Sequence, residues 1–319
     1  VTINLLTAVQ DDGLVMCADS MLTLTGNHPL MGSDIVTTFE NAEKIIELGS
    51  NLPAAAMISG AADIQGKLVS SFLKDASRAI DADDGSRNAI GIVDKVFSTI
   101  NLPYQKLLDA IRAQAASIRS QTDQLGEINE RRKSQNLPPL TEVRPEQIAI
   151  KGEPNPPPDP VEEVTLVPLT IVVCSYFGTP SATELVWPDG RRREVVPGSP
   201  LWWWGSGGSA VARLVRGFDY DLLQSHEAAG VTPGSAEAKA VLEYAESYAV
   251  AYTMPTPVES MPLQDAIEFT EYLGQVACRY DRFKMGPAGV GGPLDVLVLR
   301  DGERHWVRRK RIHSGDGTR

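Results

Sequence analysis

A chain of 319 residues, 42% hydrophobic and 22% charged, can bury a full core without disulfides or a structural metal. Its formal net charge of -11 at pH 7 excludes a general nucleic-acid binder, because phosphate contacts need a positive field. Three cysteines, Cys17, Cys174 and Cys278, lie far apart in apolar runs, which excludes a disulfide framework and a CxxC metal site and suits a reducing cytoplasm.

The chain opens on a predicted β-hairpin, Thr2 to Val9 and Leu14 to Ala18, around the turn residues Gln10-Asp11-Asp12-Gly13. Strands are expected next at Lys44 to Leu48 and Ala54 to Ser59. From Ala61 to Ile80 the residues Ile64, Leu68, Phe72 and Ala76 recur every fourth position, which predicts an amphipathic helix. A longer helical region runs from about Asn88 to Lys133, with a break expected near Pro103. Eight of the 22 prolines fall between Pro138 and Pro160, so this stretch reads as an extended loop. Together with the polar helix end before it, it is an expected insertion at about 117–165.

Strands are expected again at Leu166 to Phe177, Ala182 to Trp187, Arg192 to Val196 and Leu201 to Trp204. Helices follow at about Ser209 to Gln224, Ala236 to Tyr252 and Leu263 to Tyr280, and the last strands at Leu294 to Leu299 and His305 to Arg308. The basic run Arg308 to Arg311 reads as a solvated tail. No apolar stretch reaches the length of a membrane span and the first residues lack signal-peptide features, so a soluble cytoplasmic protein is expected. Blocks of hairpin-connected strands alternating with blocks of helices predict an α+β sandwich of two antiparallel sheets between helical layers, not a doubly wound parallel sheet.

Several short motifs stand in a telling order. Asp12-Gly13-Leu14-Val15-Met16-Cys17-Ala18-Asp19-Ser20 resembles the opening hairpin of proteasome β-type subunits, which are N-terminal-nucleophile hydrolases. Asn41-Ala42-Glu43-Lys44-Ile45-Ile46-Glu47-Leu48 is similar to that family's lysine strand, and Met57-Ile58-Ser59-Gly60-Ala61-Ala62-Asp63-Ile64-Gln65 to its glycine turn. Gly205-Ser206-Gly207-Gly208 resembles its glycine-serine-glycine strand end, and Asp281 follows a helix where the family has an aspartate. Among the branches, the chain most resembles the bacterial ancestral β-subunits known as Anbu.

The resemblance implies a four-layer α/β/β/α sandwich spanning 1–319 as one domain, interrupted by the insertion. It implies a self-compartmentalising threonine peptidase that forms a ring or helical oligomer, cleaves peptides or unfolded proteins, uses no cofactor and has no nucleic-acid or membrane partner. An unfoldase partner is left open. By the same carry-over Thr2 is the nucleophile, Lys44 the cation beside it, Asp19 the lysine's partner and Gly60 the oxyanion donor, while Ser206 and Asp281 support the threonine amine. Without a gap in the hairpin, Ile3 falls at the nucleophile position and Ser59 takes the place of the oxyanion glycine.

The roles have a physical basis. A free α-amino group, with an unperturbed pKa near about 7.7 to 8.0, serves as base for its own hydroxyl, so Thr2 must be freed of Val1 before it can act. Val290-Gly291-Gly292 has valine where the family has serine, which together with Val1 keeps a second reading open, a catalytically silent scaffold subunit. A third reading comes from Gly205, Gly207 and Ala210, which fit the dinucleotide-binding pattern G-x-G-x-x-A. Each residue also has a plain reading. Thr2 alone is a β-former, Lys44 can face solvent, Asp19 and Gly60 can be turn residues, and Cys17 a small core residue. Trp202-Trp203-Trp204 cannot all face one side of a strand and are expected to divide between core and subunit contacts.

Overall fold

Period-two alternation of apolar residues sorts the strands onto two five-stranded antiparallel sheets, seen in a computed structural model that describes residues 2–9, 12–27, 34–134, 148–150, 162–164, 168–196, 199–216, 257–284 and 289–310. The first sheet contains β1 (Asn4–Val9), β2 (Gly13–Ala18), β14 (Leu201–Trp204), β15 (Asp295–Arg300) and β16 (Glu303–Arg308), in the order β14-β1-β2-β15-β16. The second contains β5 (Ile45–Glu47), β6 (Ala54–Gly60), β11 (Leu169–Tyr176), β12 (Pro180–Trp187) and β13 (Arg191–Val196), in the order β13-β12-β11-β6-β5. Three two-stranded pairs are separate: β3 (Leu22–Asn27) with β4 (Asp34–Phe39), β7 (Asp63–Ile64) with β8 (Lys67–Leu68), and β9 (Ile148–Ile150) with β10 (Glu162–Val164).

Alternate residues of each large sheet point to different cores. Leu6, Met16 and Leu297 of the first sheet meet Ala55, Met57 and Val172 of the second in a core between the sheets. Leu5, Cys17 and Val296 face outward against α3 (Gly208–Arg216) and α4 (Leu263–Phe283) through Val211, Leu273 and Ala277. Ala56, Ile171 and Trp187 face α1 (Val69–Asp81) and α2 (Ala89–Ser134) on the far side. The molecule is therefore a mixed α+β structure in which two antiparallel sheets pack face to face with helices outside them. Trp204 belongs to the inter-sheet core, Trp203 packs on the helical side and Trp202 stacks on Trp204, so the three tryptophans divide by alternation.

Some boundaries differ from the sequence reading. The first helix begins at Val69 and buries Val69, Leu73, Ala76 and Ile80. Leu68 is exposed and Phe72 only partly buried at the edge of that face, because a tight hairpin through Gln65 and Gly66, both at positive φ, occupies the expected first turns. The helix over Pro103 is unbroken from 89 to 134, buried every fourth residue from Ile92 to Leu108. Trp187 docks on it, stacking with Phe97 at 5.6 Å and donating to Asn101 at 3.2 Å. Hairpin β3/β4 was not foreseen. Within the expected insertion, 148–150 and 162–164 pair in parallel as three-residue strands, so the proline-rich stretch is not wholly irregular. Residues 117–134 of that segment are the end of α2, while its remainder beyond these strands, all of 217–256, the expected helix at Ala236 to Tyr252 and the end of the one expected at Ser209 to Gln224 lie outside the described residues.

Candidate active site

Six strand ends meet at one end of the sandwich. In the first sheet Asn4 stands opposite Ala18 and Trp204, and Ala18 opposite Asp295. In the second Ile45 stands opposite Met57. Asn4 joins the two by donating its side-chain amide to the Ile58 carbonyl at 2.8 Å. Register thus places Thr2 just before β1, Asp19 just after β2, Lys44 just before β5, Gly60 at the end of β6, Gly205 just after β14 and Gly291 shortly before β15.

Three side chains interlock there. Lys44 Nζ donates to Thr2 Oγ1 and to Asp19 Oδ1, both at 2.6 Å, and the Thr2 hydroxyl donates to Asp19 Oδ1 at 2.7 Å. All three are buried, at 3% exposure for Thr2, 0% for Asp19 and 6% for Lys44. Asp19 also accepts from the backbone N–H groups of Ile3 (3.0 Å), Met21 (3.2 Å) and Gly291 (3.1 Å), so five donors converge on one carboxylate. Burial pushes the Lys44 ammonium below its ordinary value of 10.5, against the opposing charge and hydrogen bond of Asp19. Ile3 is part of the core against α3 and α4, so of the two residues offered by the hairpin alignment it is Thr2 whose hydroxyl meets the lysine.

The glycines answer to close approach. Gly205 has φ +94, and a Cβ there would lie 2.1 Å from the Thr2 carbonyl oxygen. Gly207 donates its N–H to that same oxygen at 3.2 Å. A Cβ on Gly207 would sit 2.9 Å from the Ile3 Cβ and 3.1 Å from Val290. Gly205→Ala is therefore expected to combine left-handed backbone strain with displacement of Thr2. A loss of about 1–3 kcal/mol is predicted, read as a urea midpoint. Gly178→Ala, at φ +75 with no atom within 4 Å of the added Cβ, is the control for strain alone and should cost less.

Ser206 lies between these two glycines in the chain and is exposed. Gly60 is exposed at the same sheet end with φ +87, while Ser59 is buried. Asp281 accepts from the N–H groups of Gly289 (2.5 Å) and Val290 (2.8 Å). Its contacts thus reach Asp19 through the loop that presents Gly291, rather than Thr2 directly. The dinucleotide reading fails on topology. Gly205 and Gly207 pack on Thr2 and Ile3, and β14 lies in a sheet whose pairs are all antiparallel, with no βαβ unit among the described residues.

Burial pushes the Cys17 thiol well above its ordinary value of 9.0, which leaves it a core residue. Among the described residues no group of three His, Cys, Asp or Glu is placed to hold a metal ion, and no helix is long and apolar enough to cross a membrane.

Sequence reasoning missed the backbone donors from Met21 and Gly291, and it misjudged the basic run. Arg308 pairs with Glu271 at 2.5 Å, and Arg309 with Glu43 and Glu47 at 3.6 Å each. Lys310 pairs with Asp295 at 2.9 Å with both side chains buried, so it is withdrawn from solvent, whereas Arg308 and Arg309 make their pairs on the exposed surface and Arg311 lies outside the described residues. Their partners come from β15, α4 and the approach to β5, which no local pattern reveals.

Compared with protein-family profiles, the sequence matches none. Compared with curated proteins, it again finds no match.

Proposed function

We propose that this chain is a threonine peptidase of the N-terminal-nucleophile kind, with the fold of the proteasome β-type subunits and a nearest likeness to the Anbu branch. The observation that carries the reading is the placement of Lys44 Nζ 2.6 Å from both Thr2 Oγ1 and Asp19 Oδ1 in a buried cluster. With Thr2 as first residue, its α-amine takes the hydroxyl proton as Oγ1 attacks a peptide carbonyl, and the Lys44 ammonium stabilises the charge on Oγ1. Asp19 holds Lys44 in place. A backbone N–H at the end of β6, from Ser59 or Gly60, stabilises the developing oxyanion. Collapse of the tetrahedral intermediate breaks the peptide C–N bond, the departing amine takes the proton back from the Thr2 α-ammonium, and water then hydrolyses the ester left on Thr2.

The reading includes self-association into a ring or helical oligomer, and the exposed Tyr272, Tyr280 and Phe283 on α4 give it a surface for that. It includes a reducing cytoplasm, in keeping with three free thiols. A second reading, a catalytically silent scaffold subunit, is favoured by one observation. Val290 is buried and packs toward Gly207, so this place next to the Thr2 segment has no hydroxyl to support an amine.

The test is hydrolysis of a mixed peptide library, with sizing of the particle, for three forms: the chain in which Val1 precedes Thr2, a chain with Thr2 first, and the Thr2-first chain carrying Thr2→Ser. Activity confined to the two forms with a free hydroxyl-bearing first residue is expected. Normal assembly with no hydrolysis by any form would contradict the peptidase reading and favour the scaffold.

A further inference from the structure

Two buried lysines stand at this end of the sandwich, and the cluster around Thr2 uses one. The other is Lys310, two residues past β16. Its side chain is 5% exposed and that of Asp295 4%, with Nζ 2.9 Å from Asp295 Oδ2. The Lys310 backbone N–H donates to the other oxygen of the same carboxylate at 2.8 Å. Asp295 stands opposite Ala18, the neighbour of Asp19. The Lys310 ammonium also donates to the carbonyl of Ala42, two residues before Lys44.

The segment so gripped is the one that delivers Lys44. The N–H of Ala42 donates to the Ser20 carbonyl at 2.8 Å, and Ser20 Oγ donates to the Glu40 carbonyl at 2.6 Å. Glu43 is held by Lys74 at 2.5 Å and by Arg309 at 3.6 Å. Removing two charges from water carries a desolvation cost that an exposed clamp would not. Lys310 is also near enough that its charge adds to the effect of burial on Lys44, against the pull of Asp19.

We propose that Lys310 is a positioning residue for the Thr2, Asp19 and Lys44 cluster: anchored by Asp295, it grips the Ala42 carbonyl and sets where Lys44 Nζ stands. The proposal rests on the peptidase reading for its kinetic consequence and on geometry alone for its structural one.

Lys310→Met by itself leaves Asp295 buried without a cation and can fail to fold. The decisive variant is therefore Lys310→Met with Asp295→Asn, a neutral pair, alongside Lys310→Arg as the conservative exchange. Two readouts are taken on the Thr2-first chain. One is kcat and KM on the peptide library. The other is the NMR resonance of Lys44 in protein labelled with 13C at lysine Cε, assigned by its loss in Lys44→Arg. The neutral pair should lower kcat on the order of ten- to a hundredfold with little change in KM. It should also move the Lys44 resonance while Lys67 and Lys133 stay in place, and Lys310→Arg should recover most of both. A folded neutral pair with unchanged kcat and an unmoved Lys44 resonance overturns the proposal. If the parent chain hydrolyses nothing, the peptidase reading fails by itself, and the resonance still decides: moved, Lys310 positions Lys44; unmoved, it does not.

Discussion

Lys44→Ala in a chain that begins at Thr2 should abolish measurable peptide hydrolysis while the particle still assembles. The ammonium lies 2.6 Å from the Thr2 hydroxyl oxygen, where charge develops during attack. Loss of one such preorganised contact costs about 3 to 4 kcal/mol of barrier, or several hundredfold in kcat. The pH profile carries a second signature. Because burial lowers the pKa of Lys44, its proton should leave below the ordinary 10.5, and activity should fall on an alkaline limb below that pH. The sign for stability is the reverse. Between the lowered folded value and 10.5 the unfolded chain binds more protons at this site, so this lysine's share of stability rises with pH through that window and its burial penalty is complete below it.

Asp19→Ala should be the most destabilising substitution at the site. Five donors lose their acceptor and the Lys44 ammonium loses the carboxylate it meets at 2.6 Å. Breaking a buried pair from one side costs about 3–5 kcal/mol, a large part of the stability of a typical domain. Urea denaturation of Asp19→Ala, Lys44→Met and the double variant reads it directly. The double variant should be more stable than the sum of the single losses predicts, by about 1–3 kcal/mol, because it removes the Lys44 charge as well. Simple additivity would mean that the two side chains do not act as a pair.

The strands of the two large sheets were legible from alternation, whereas the meeting of Asp19 with Lys44 was expected only from the resemblance that short motifs in a shared order carry. Thr2 was the candidate from the sequence although an alignment without a gap sets Ile3 at that position, and the Thr2 hydroxyl on Lys44 together with Ile3's place in the outer core agrees with Thr2. Helix α1 was misphased because a repeat of four fits Leu68 and Phe72 as well as Val69 and Leu73, and the turn at Gln65-Gly66 selects the second set. The docking of Arg308, Arg309 and Lys310 was invisible for a different reason. Ion pairs form with whatever the fold brings near, and Glu43, Glu271 and Asp295 are brought there by three separate elements. The backbone donors to Asp19 leave no trace in residue identity at all.

The most direct test of the account is a single labelling measurement. The Thr2-first chain is incubated with a peptide β-lactone, whose strained ester an activated hydroxyl opens to a stable acyl ester, and the adduct is located by mass spectrometry of the digested protein. The account predicts one adduct, on Thr2, absent from the chain in which Val1 still precedes it and lost or greatly slowed in Lys44→Ala. Equal labelling of Thr2 with and without Val1, or no labelling of Thr2 in a folded and assembled protein, would contradict it.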